Sequence, residues 1–341
     1  MKVVAMRDFG GPEVLEYAEA PTPEPGPGEV LLRILASGTN RLEHYIREGS
    51  VTRDLPLPHV LGSDAAAEVV ELGAEVEGFT TGDRVIPLPG FPLEPRDRDF
   101  TPMAAAPSYA IGGTAQWGTY AEYLCVPAEY VVPDPTDLPP EQVATLPMAL
   151  ITGVRAVRTV GGVRSGHRVL VQAGSSATGA MNIMVAKALG ATVAATVDGA
   201  EKVPTAEAAG ADLVVDVTAT DIVEAVLDWT DGRGADVAID NLGGNVLGQS
   251  LDAVRPQGTV VAMGFVAGVE ASFHVREFFF AHKRILGTLM GGPEDLAWGL
   301  ELVAAGLVRP LLDRTLPLAD ARQAHALMAA NATRGTVVLV P

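Results

Sequence analysis

Residues 169–180 read VLVQAGSSATGA, where a short apolar run leads through small residues into a helix-like segment. This order predicts a strand, a tight turn and a helix N-terminus, the arrangement that binds the pyrophosphate of a dinucleotide. The usual glycine pattern is G-x-G-x-x-G; here Gly174 and Gly179 hold its outer positions and Ser176 replaces the middle glycine. We therefore predict a modified phosphate cradle formed by Gly174, Ser175, Ser176, Ala177, Thr178 and Gly179.

The serine in the middle of this cradle has two interpretations. Its side chain is small enough for close approach, and its hydroxyl is predicted to donate to a phosphate oxygen alongside the exposed helix amides. The alternative is a plain connection between a strand and a helix, because a degenerate motif alone is weak evidence for a nucleotide site. A second strand follows about 20 residues later, which favours the cradle.

That second strand ends in ATVDGAEK, where Val197 and Asp198 occupy the place of ribose recognition. The carboxylate of Asp198 would accept hydrogen bonds from both ribose hydroxyls and repel a 2′-phosphate, which favours NAD(H). Lys202, one helical turn further on, would instead neutralise a 2′-phosphate and favour NADP(H). Both side chains are alternatively ordinary solvated surface.

The organisation of the chain changes after the segment DLPPEQVATLPM. Before it, short β-branched runs separated by Pro and Gly predict a β-rich, barrel-like unit. After it, apolar strands alternate with amphipathic segments, which predicts a doubly wound parallel sheet. The last fifty or so residues could extend either unit. A length of 341 residues also favours two domains, so we predict an α/β protein.

Composition excludes several classes of partner. A formal net charge of −18 without any basic run argues against nucleic acid and anionic membrane surfaces. No apolar run reaches the roughly 18 residues that span a bilayer. Cys125 is the only cysteine, which excludes an intrachain disulfide and a cysteine-rich zinc site. The N-terminal sequence MKVVAMRDFGG contains no apolar signal region, so we expect a cytoplasmic protein with a small-molecule substrate.

Several segments together resemble the medium-chain dehydrogenase/reductase superfamily, and specifically its zinc-free quinone oxidoreductase and enoyl reductase branch. They are EVLLRILASGTNRLEHYIREG, HVLGSDAAAEVVELGAEVEGFTTGDRV, GTYAEYLCVPAEYVVPDP, ATLPMALITGVRAV, the cradle, GADVAIDNLGG and RGTVVLVP. The resemblance covers nearly the whole chain. It implies a GroES-like catalytic domain from residues 1–143 and 291–341, a Rossmann domain from residues 144–290, and an active site in the cleft.

The resemblance also implies a cofactor and an assembly. It favours NADP(H) over NAD(H), although Asp198 argues the other way. The segment HKRILGTLMG resembles the edge strand through which two Rossmann sheets of the family join, so we expect a homodimer. A capped edge strand that faces solvent is the alternative.

Zinc-dependent members of the superfamily hold their catalytic metal at positions that match Asn40, the pair Ser63 and Asp64 after Gly62, and the region of Met148. A neutral amide, a hydroxyl and a thioether cannot supply the nitrogen and thiolate ligands that zinc requires. The segment that matches the four-cysteine structural lobe, within residues 87–118, contains no cysteine. We therefore predict that neither zinc is present.

Without a Lewis acid, the chemistry that best suits the remaining groups is reduction of a conjugated C=C bond by hydride transfer. Asn40 and Tyr45 match substrate-pocket residues of the quinone oxidoreductases that this chain resembles. We predict polar contacts from both to the substrate oxygen, with Tyr45 as the proton donor, although Tyr45 is alternatively a core aromatic. For the cofactor, Thr152 matches a family threonine near the nicotinamide, and further contacts are predicted at strand ends: Asn241, Gly264 and Phe265.

The predicted function is therefore an NAD(P)H-dependent, metal-free oxidoreductase that reduces quinones, enones or other activated C=C substrates. A zinc-independent alcohol dehydrogenase or carbonyl reductase is one alternative, and a cofactor-binding protein without turnover is another. Arg47 is predicted to form a structural ion pair with a neighbour such as Glu43, or with Asp64, rather than to contact the substrate.

Overall fold

The computed structural model describes all 341 residues and divides the chain into two compact units. The first unit consists of Met1–Met148, Gly291–Ala304 and Pro310–Pro341, and the second of Ala149–Met290 and Ala305–Arg309. No helix is both long enough and apolar enough to span a lipid bilayer.

The division differs in two places from the predicted boundaries. The first unit continues to Met148 rather than to residue 143, because the Met148 amide donates to Asp64 and Ala144 lies directly against Gly38. The segment Ala305–Arg309 belongs to the second unit, where the Arg309 guanidinium donates to the backbone oxygen of Ala208.

The first unit is rich in β-structure. Its strands are β1 (Lys2–Met6), β2 (Leu15–Glu19), β3 (Glu29–Gly38), β4 (His59–Val60), β5 (Asp64–Leu72), β6 (Arg84–Pro87), β7 (Gly90–Pro92), β8 (Tyr109–Ile111), β9 (Tyr123–Pro127) and β10 (Val131–Pro133), and, after the second unit, β17 (Leu312–Pro317) and β18 (Thr336–Val340). Its helices are α1 (Arg41–Glu48), α2 (Pro140–Val143), α9 (Pro293–Ala304) and α10 (Ala321–Ala329).

The principal sheet of the first unit has the order β10-β6-β5-β3-β18-β17, with β9 also paired to β3. The last strand of the chain, β18, runs antiparallel to β3, so the C-terminal segment completes the sheet that the N-terminal segment begins. A second sheet, β2-β1-β4, contributes to the same hydrophobic core, in which Met6, Leu15, Ile46, Leu61 and Leu339 are buried. The polypeptide chain therefore leaves the β-rich unit after its N-terminal part and returns to it at its C-terminal end.

The segment 87–118 folds as a small hairpin. Strands β7 and β8 pair antiparallel, and Phe91 on β7 stacks on Tyr130 with ring centroids 4.6 Å apart. The buried carboxylate of Asp97 accepts a hydrogen bond from the Ser108 amide at 2.9 Å. Aromatic packing and hydrogen bonding thus order this cysteine-free segment.

The second unit is a doubly wound sheet. Its strands are β11 (Arg168–Val171), β12 (Thr192–Val197), β13 (Leu213–Asp216), β14 (Ala235–Asp240), β15 (Val254–Ala262) and β16 (Arg284–Gly287). Its helices are α4 (Ala177–Ala188), α5 (Val203–Ala208), α6 (Ile222–Trp229), α7 (Gly244–Ala253) and α8 (Val275–Phe280). Helix α3 (Pro147–Val154) crosses the unit boundary and continues as a π-helix, Arg155–Val160.

All six strands run parallel in the order β13-β12-β11-β14-β15-β16. Numbered within the unit, this order is 3-2-1-4-5-6, the arrangement of a Rossmann fold, and it confirms the predicted doubly wound sheet. The chain reverses its direction of winding between β11 and β14. Ligands bind beyond the carboxyl ends of the strands at such a point, and residues 172–179 and 240–244 lie there.

Candidate active site

Asn40 lies at the junction of β3 and α1 and occupies the N-cap position of that helix. Glu43, in the first turn of α1, turns back toward this junction, and its Oε2 accepts a hydrogen bond from the Asn40 backbone amide at 2.6 Å. Carboxylates at this position stabilise helix N-termini by satisfying an otherwise unpaired amide. The sequence Asn-x-x-Glu therefore fixes where α1 begins and places the Glu43 carboxyl inside the unit.

Four side chains form one hydrogen-bonded group, which we name the Asn40 cluster: Asn40, Glu43, Ser63 and Asp64. The Asn40 Nδ2 donates to Ser63 Oγ at 3.1 Å and to Asp64 Oδ2 at 3.0 Å. Ser63 Oγ in turn donates to Glu43 Oε1 at 2.7 Å. Both amide hydrogens of Asn40 are thus committed to the cluster, and neither is left to donate to a substrate oxygen.

The two carboxyl groups of the cluster are poorly solvated. Burial raises the pKa of Glu43 to about 7 against the opposing hydrogen bond from Ser63. Burial likewise raises the pKa of Asp64 to about 8; the hydrogen bond from Asn40 opposes this shift, and the nearby Glu43 charge adds to it. Both carboxyl groups therefore change protonation near neutral pH rather than in acid.

Tyr45 lies on α1 and is partly buried. Its ring is tilted against that of His44, with centroids 5.6 Å apart. Its hydroxyl makes no hydrogen bond to another residue of the protein. A free hydroxyl can donate to a bound molecule, in contrast to the fully used amide of Asn40. Of the two predicted catalytic side chains, Tyr45 is the one with an available donor.

Arg47 forms the predicted structural ion pair with a neighbour, but the partner is Glu48 rather than Glu43 or Asp64. Arg47 is 1% exposed, and its guanidinium contacts His325 Nδ1 at 3.1 Å, the backbone oxygen of Gly10 at 2.9 Å and Glu48 Oε1 at 3.3 Å. Glu43 is unavailable because it caps α1 and accepts from Ser63, and Asp64 is held by Asn40 and Met148. Arg47 instead links α1 to α10, so its role is structural, as predicted.

In the second unit, β11 leads through a tight turn into α4, as the sequence predicted. Ser176 is the N-cap of α4: its Oγ accepts from the Gly179 amide at 3.0 Å and donates to the Ala173 carbonyl at 2.8 Å. The hydroxyl proton of Ser176 is therefore already used within the turn, contrary to the predicted donation to phosphate. Helix geometry leaves the amides of Ala177 and Thr178, in the first turn, without helical partners and free to meet an anion.

The two glycines of the cradle allow close packing. A Cβ on Gly179 would collide with the Ala173 carbonyl, and a Cβ on Gly174 would lie 2.7 Å from the Ala195 Cβ on β12. These are the contacts that a dinucleotide cradle requires between its turn, its helix and the sheet. The positive φ of the turn falls on a residue with a side chain, Ala173, at +49°.

The end of β12 shows how its two charged residues are arranged. Val197 is buried, whereas the side chains of Asp198 and Lys202 are 70% and 42% exposed. Lys202 Nζ donates to Asp198 Oδ1 at 2.7 Å, and this hydrogen bond lowers the pKa of Asp198. The two opposing determinants of ribose recognition therefore neutralise each other.

Three of the predicted cofactor residues lie together beyond the ends of β14 and β15. Asn241 follows β14, and its buried side-chain oxygen has no partner within the protein. A Cβ on Gly264 would collide with the Asn241 carbonyl, while the neighbouring Phe265 is 64% exposed. Thr152 lies separately, on α3 of the same unit, and is partly buried. An unsatisfied buried oxygen at a strand end is consistent with a site for a polar ligand.

Comparison with known proteins agrees with this geometry. An alcohol dehydrogenase GroES-like domain matches residues 26–139, and a zinc-binding dehydrogenase domain matches residues 177–305. The chain is 31% identical to a quinone oxidoreductase of Pseudomonas aeruginosa, covering 100% of this chain and 99% of that protein. It is 32% identical to a 2-haloacrylate reductase of a Burkholderia species, covering 97% and 96%. The crystal structure of an NAD-dependent alcohol dehydrogenase, 36% identical, superposes with a TM-score of 0.91 over the full length of both chains.

The chain belongs to the medium-chain dehydrogenase/reductase superfamily. Within this superfamily it fits the quinone oxidoreductase-like branch, which confirms the predicted family and fold. It is an oxidoreductase of this type, and superfamily members are expected to bind a nicotinamide dinucleotide. The residues of the cradle and the unsatisfied oxygen of Asn241 fit such a ligand.

The match to a zinc-binding dehydrogenase domain raises the question whether the residues of this chain could hold a zinc ion. The structure brings together three of the positions that match zinc-ligand positions, Asn40, Ser63 and Asp64, but they bond to one another. Nowhere do three or more His, Cys, Asp or Glu side chains form a group that could hold a metal ion. The Asn40 cluster offers carboxyl, hydroxyl and amide groups but no imidazole nitrogen or thiolate, and zinc sites of proteins are built on these ligands.

Two features of the candidate site were not predicted from the sequence: the role of Glu43 and a set of buried polar side chains in the second unit. Glu43 was considered only as an ion-pair partner, although its position three residues after Asn40 is the spacing of a helix cap. In the second unit, four buried polar side chains behind the cradle were not singled out: Gln172, Thr196, Asp240 and Ser250. For Gln172, Thr196 and Asp240 the only signal in the sequence is a polar residue at or next to the end of an apolar strand; Ser250 lies on α7 and has no such signal.

Proposed function

We propose that this oxidoreductase is a metal-free, NAD(P)H-dependent enzyme that reduces quinones, enones or other activated C=C substrates. The observation that carries the proposal is the Asn40 cluster. At the positions that match the zinc-ligand positions of zinc-dependent relatives, this chain has an amide, a hydroxyl and a carboxyl group that satisfy one another. A closed hydrogen-bonded group of this kind supports chemistry without a Lewis acid.

The second unit supplies the residues for the dinucleotide. The first-turn amides of α4, in the cradle Gly174, Ser175, Ser176, Ala177, Thr178 and Gly179, would receive the pyrophosphate. Asn241 offers an unsatisfied oxygen, and Gly264, Phe265 and Thr152 complete the proposed set. When bound, a reduced nicotinamide supplies a hydride to the β-carbon of a conjugated substrate.

The first unit supplies the polar groups for the substrate. Addition of hydride at the β-carbon leaves negative charge on the distal oxygen, and one proton must then be delivered to complete the reduction. Tyr45 is our proposed proton donor, because its hydroxyl is free within the protein. Asn40 is the second proposed contact, but it would have to release Ser63 or Asp64 before it could donate.

An assay of four substrate classes tests the proposal. Oxidation of NADPH and of NADH is followed by absorbance with a quinone, an α,β-unsaturated ketone, an enoyl thioester and a saturated aldehyde, each with and without EDTA. We expect turnover of the quinone or of one of the conjugated substrates, unchanged by the chelator. Activity that EDTA abolishes would refute the metal-free mechanism.

A second candidate function is a zinc-independent alcohol dehydrogenase or carbonyl reductase. It is favoured by the similarity to a solved NAD-dependent alcohol dehydrogenase over the full length of both chains. In the same assay, turnover of only the aldehyde would favour this candidate. Tight dinucleotide binding without turnover of any substrate would argue against both candidates.

For the cofactor we propose a preference for NADP(H) over NAD(H). Lys202 is the cation placed to meet a 2′-phosphate, and it already neutralises Asp198, the residue that would repel one. The ratio of kcat/KM for NADPH to that for NADH measures this preference. A ratio below one would overturn it.

We also propose that two copies join through β16, the edge strand of the six-stranded sheet. Leu286 on this strand and Leu289 beyond it are exposed, as is the apolar side chain of Phe280 on α8. Exposed apolar groups beside an unpaired strand edge support an interface between copies. Light scattering coupled to size-exclusion chromatography is expected to give twice the monomer mass, and Leu286→Lys is expected to give the monomer. A wild-type monomer at micromolar concentration would refute this proposal.

A further inference from the structure

Four polar side chains lie buried behind the cradle of the second unit, and we name them the Thr196 relay: Gln172, Thr196, Asp240 and Ser250. Each is at most 2% exposed. Polar groups so far from water are costly unless hydrogen bonds satisfy them. In this relay every member is bonded to the next.

The strand register brings the relay together. Val171 on β11 is opposite Ala195 on β12 and opposite Ile239 on β14. The next residue of each strand, or the residue that follows its end, is Gln172, Thr196 or Asp240, so these three side chains are neighbours at the carboxyl ends of adjacent strands. Ser250 reaches them from α7, which packs on β14.

The hydrogen bonds of the relay all run in one direction. The Ala173 amide donates to Thr196 Oγ1 at 2.9 Å, and that hydroxyl donates to Gln172 Oε1 at 2.8 Å. Gln172 Nε2 donates to Ser250 Oγ at 3.0 Å, and Ser250 donates to Asp240 Oδ2 at 2.8 Å. A backbone amide can only donate and a carboxylate can only accept, so the two ends together fix the direction from Ala173 to Asp240. Such chains strengthen each member by polarising its neighbours.

Each end of the relay holds a turn of the proposed dinucleotide site. At one end, the bonded amide is that of Ala173, whose positive φ begins the cradle. At the other end, Asp240 Oδ1 accepts from the amides of Leu242 at 3.0 Å and Gly243 at 2.8 Å. These bonds hold the turn that presents Asn241.

The turn at Asn241 is in contact with the predicted loop at Gly264. The Ala267 amide donates to the Leu242 carbonyl at 2.8 Å, and Gly243 pairs with Gly268 through an isolated bridge. Gly243 has a φ of +67° and no room for a Cβ against the Gly264 carbonyl. The cradle, the turn at Asn241 and the loop at Gly264 are therefore joined through one continuous set of hydrogen bonds.

We infer that Gln172, Thr196, Ser250 and Asp240 are positioning residues that hold the cradle and the Asn241 turn in the shape that binds the dinucleotide. The inference rests on the proposed dinucleotide site. None of the four needs to touch the ligand. If Thr196 loses its hydroxyl, the Ala173 amide loses its only acceptor inside the unit. The positive φ of Ala173 is then no longer stabilised by this hydrogen bond, so we expect the turn to rearrange.

Thr196→Val is the principal test, because valine has nearly the same shape and lacks the hydroxyl. Thr230→Val is its matched control: Thr230 is equally buried in the same unit, and its Oγ1 donates to the Val226 carbonyl at 2.7 Å and accepts from the Gly234 amide at 2.8 Å. Both variants lose one donor and one acceptor, but only Thr196 belongs to the relay. Thr196→Ser keeps the hydroxyl and is the rescue variant.

Dissociation constants of NADPH and NADH are measured by fluorescence titration, and Tm by calorimetry. We expect Thr196→Val to raise the dissociation constant of the better-bound cofactor about tenfold, the effect of one lost buried hydrogen bond. Thr230→Val is expected to lower Tm about as much as Thr196→Val does, but to change the dissociation constant less than about twofold. Thr196→Ser is expected to bind as the wild type does.

Ser250→Ala breaks the relay at a second point and serves if Thr196→Val does not fold. We expect Ser250→Ala to raise the dissociation constant as well. In the double variant Thr196→Val, Ser250→Ala, the factor by which the dissociation constant rises should be smaller than the product of the two single factors, because both substitutions break the same chain of hydrogen bonds. Wild-type dinucleotide affinity in both Thr196→Val and Ser250→Ala would overturn the inference while leaving the proposed function intact. A wild-type protein that binds neither dinucleotide would overturn both.

Discussion

In the first unit, the Asn40 cluster buries two carboxyl groups: Glu43 accepts from the Asn40 backbone amide and the Ser63 hydroxyl, and Asp64 accepts from the Met148 backbone amide and the Asn40 side-chain amide. In the second unit, the Thr196 relay buries one carboxylate, and Asp240 accepts three hydrogen bonds from Leu242, Gly243 and Ser250. Both networks use Asn or Gln, Ser or Thr, and acidic side chains. They differ in their donors: Asp240 Oδ1 accepts from two backbone amides, whereas in the cluster Asp64 Oδ2 and Glu43 Oε1 meet side-chain donors that can rotate.

The difference determines what each network can do. Asn40 can rotate its amide and exchange donor for acceptor, so the Asn40 cluster can satisfy Glu43 and Asp64 in more than one protonation state. The relay is fixed at both ends by backbone amides, which can only donate. One network is therefore suited to holding protons, and the other to holding backbone shape.

Replacement of the aspartate by asparagine in each network is expected to give the largest difference between the two. Asp240→Asn would turn an NH2 group toward a donor, either the fixed backbone amides or the Ser250 hydroxyl, so we expect it to lower the free energy of unfolding by about 3 kcal/mol. Asp64→Asn should cost less than about 1 kcal/mol, because Asn40 can present its oxygen to the new amide. Urea unfolding of both variants at neutral pH measures the contrast. Equal losses would show that the two networks are equally rigid.

The comparison also leads to a test of Tyr45 as the proposed proton donor. Because the Asn40 amide has no hydrogen left for the substrate, Tyr45→Phe is expected to lower kcat about 100-fold with a conjugated substrate, the usual contribution of a general acid. Tyr17→Phe is the control, since Tyr17 is an exposed tyrosine of the same unit. Tm should be unchanged in both variants. A Tyr45→Phe enzyme with more than half of the wild-type kcat would shift the role back to Asn40 or to water.

Much of the fold could be predicted from the sequence, because strand and helix periodicity depends on neighbouring residues. The alternation of apolar and amphipathic segments after residue 144 predicted a parallel sheet, and VLVQAGSSATGA predicted the turn into α4. The boundary was less exact, since Ala144 and Met148 belong to the first unit through contacts with the distant residues Gly38 and Asp64.

The candidate site was predicted only in part, for a physical reason. Glu43 could pair with Arg47 by its helical spacing, but capping α1 and bonding to Ser63 won that competition. The Ser176 hydroxyl was expected to face phosphate, yet it caps its own helix. The relay joins residues up to 78 positions apart, from Gln172 to Ser250, through strand register that no local pattern reveals.

The pH dependence of stability offers a weaker but selective test of the Asn40 cluster. Burial raises the pKa of Glu43 to about 7 and that of Asp64 to about 8, from ordinary values of 4.5 and 3.8. Folding therefore favours their neutral forms: this contribution is complete below the ordinary values and is lost as the pH rises through the raised ones. We expect Tm to fall between about pH 5 and pH 8.

The double variant Glu43→Gln, Asp64→Asn removes both titrations and isolates them from other groups. Its Tm should depend less on pH over the same interval than that of the wild type. The relay variant Ser250→Ala, which removes no ionisable group, should keep the wild-type slope. A double variant with an unchanged slope would mean that the cluster does not titrate in this range.

The smallest expected effect concerns the ribose end of the site, where a charge pair at the surface contrasts with the two buried networks. Because Lys202 and Asp198 neutralise each other, Asp198→Asn should free the cation and raise the NADPH to NADH ratio of kcat/KM about tenfold, while Lys202→Gln should lower it by a similar factor. Lys187→Gln is the control, because Lys187 forms a comparable exposed pair with Asp212 in the same unit. If both test variants keep the ratio within about twofold of the wild type, the 2′-position is recognised by other groups, and exposed charges here have the small influence typical of surface pairs.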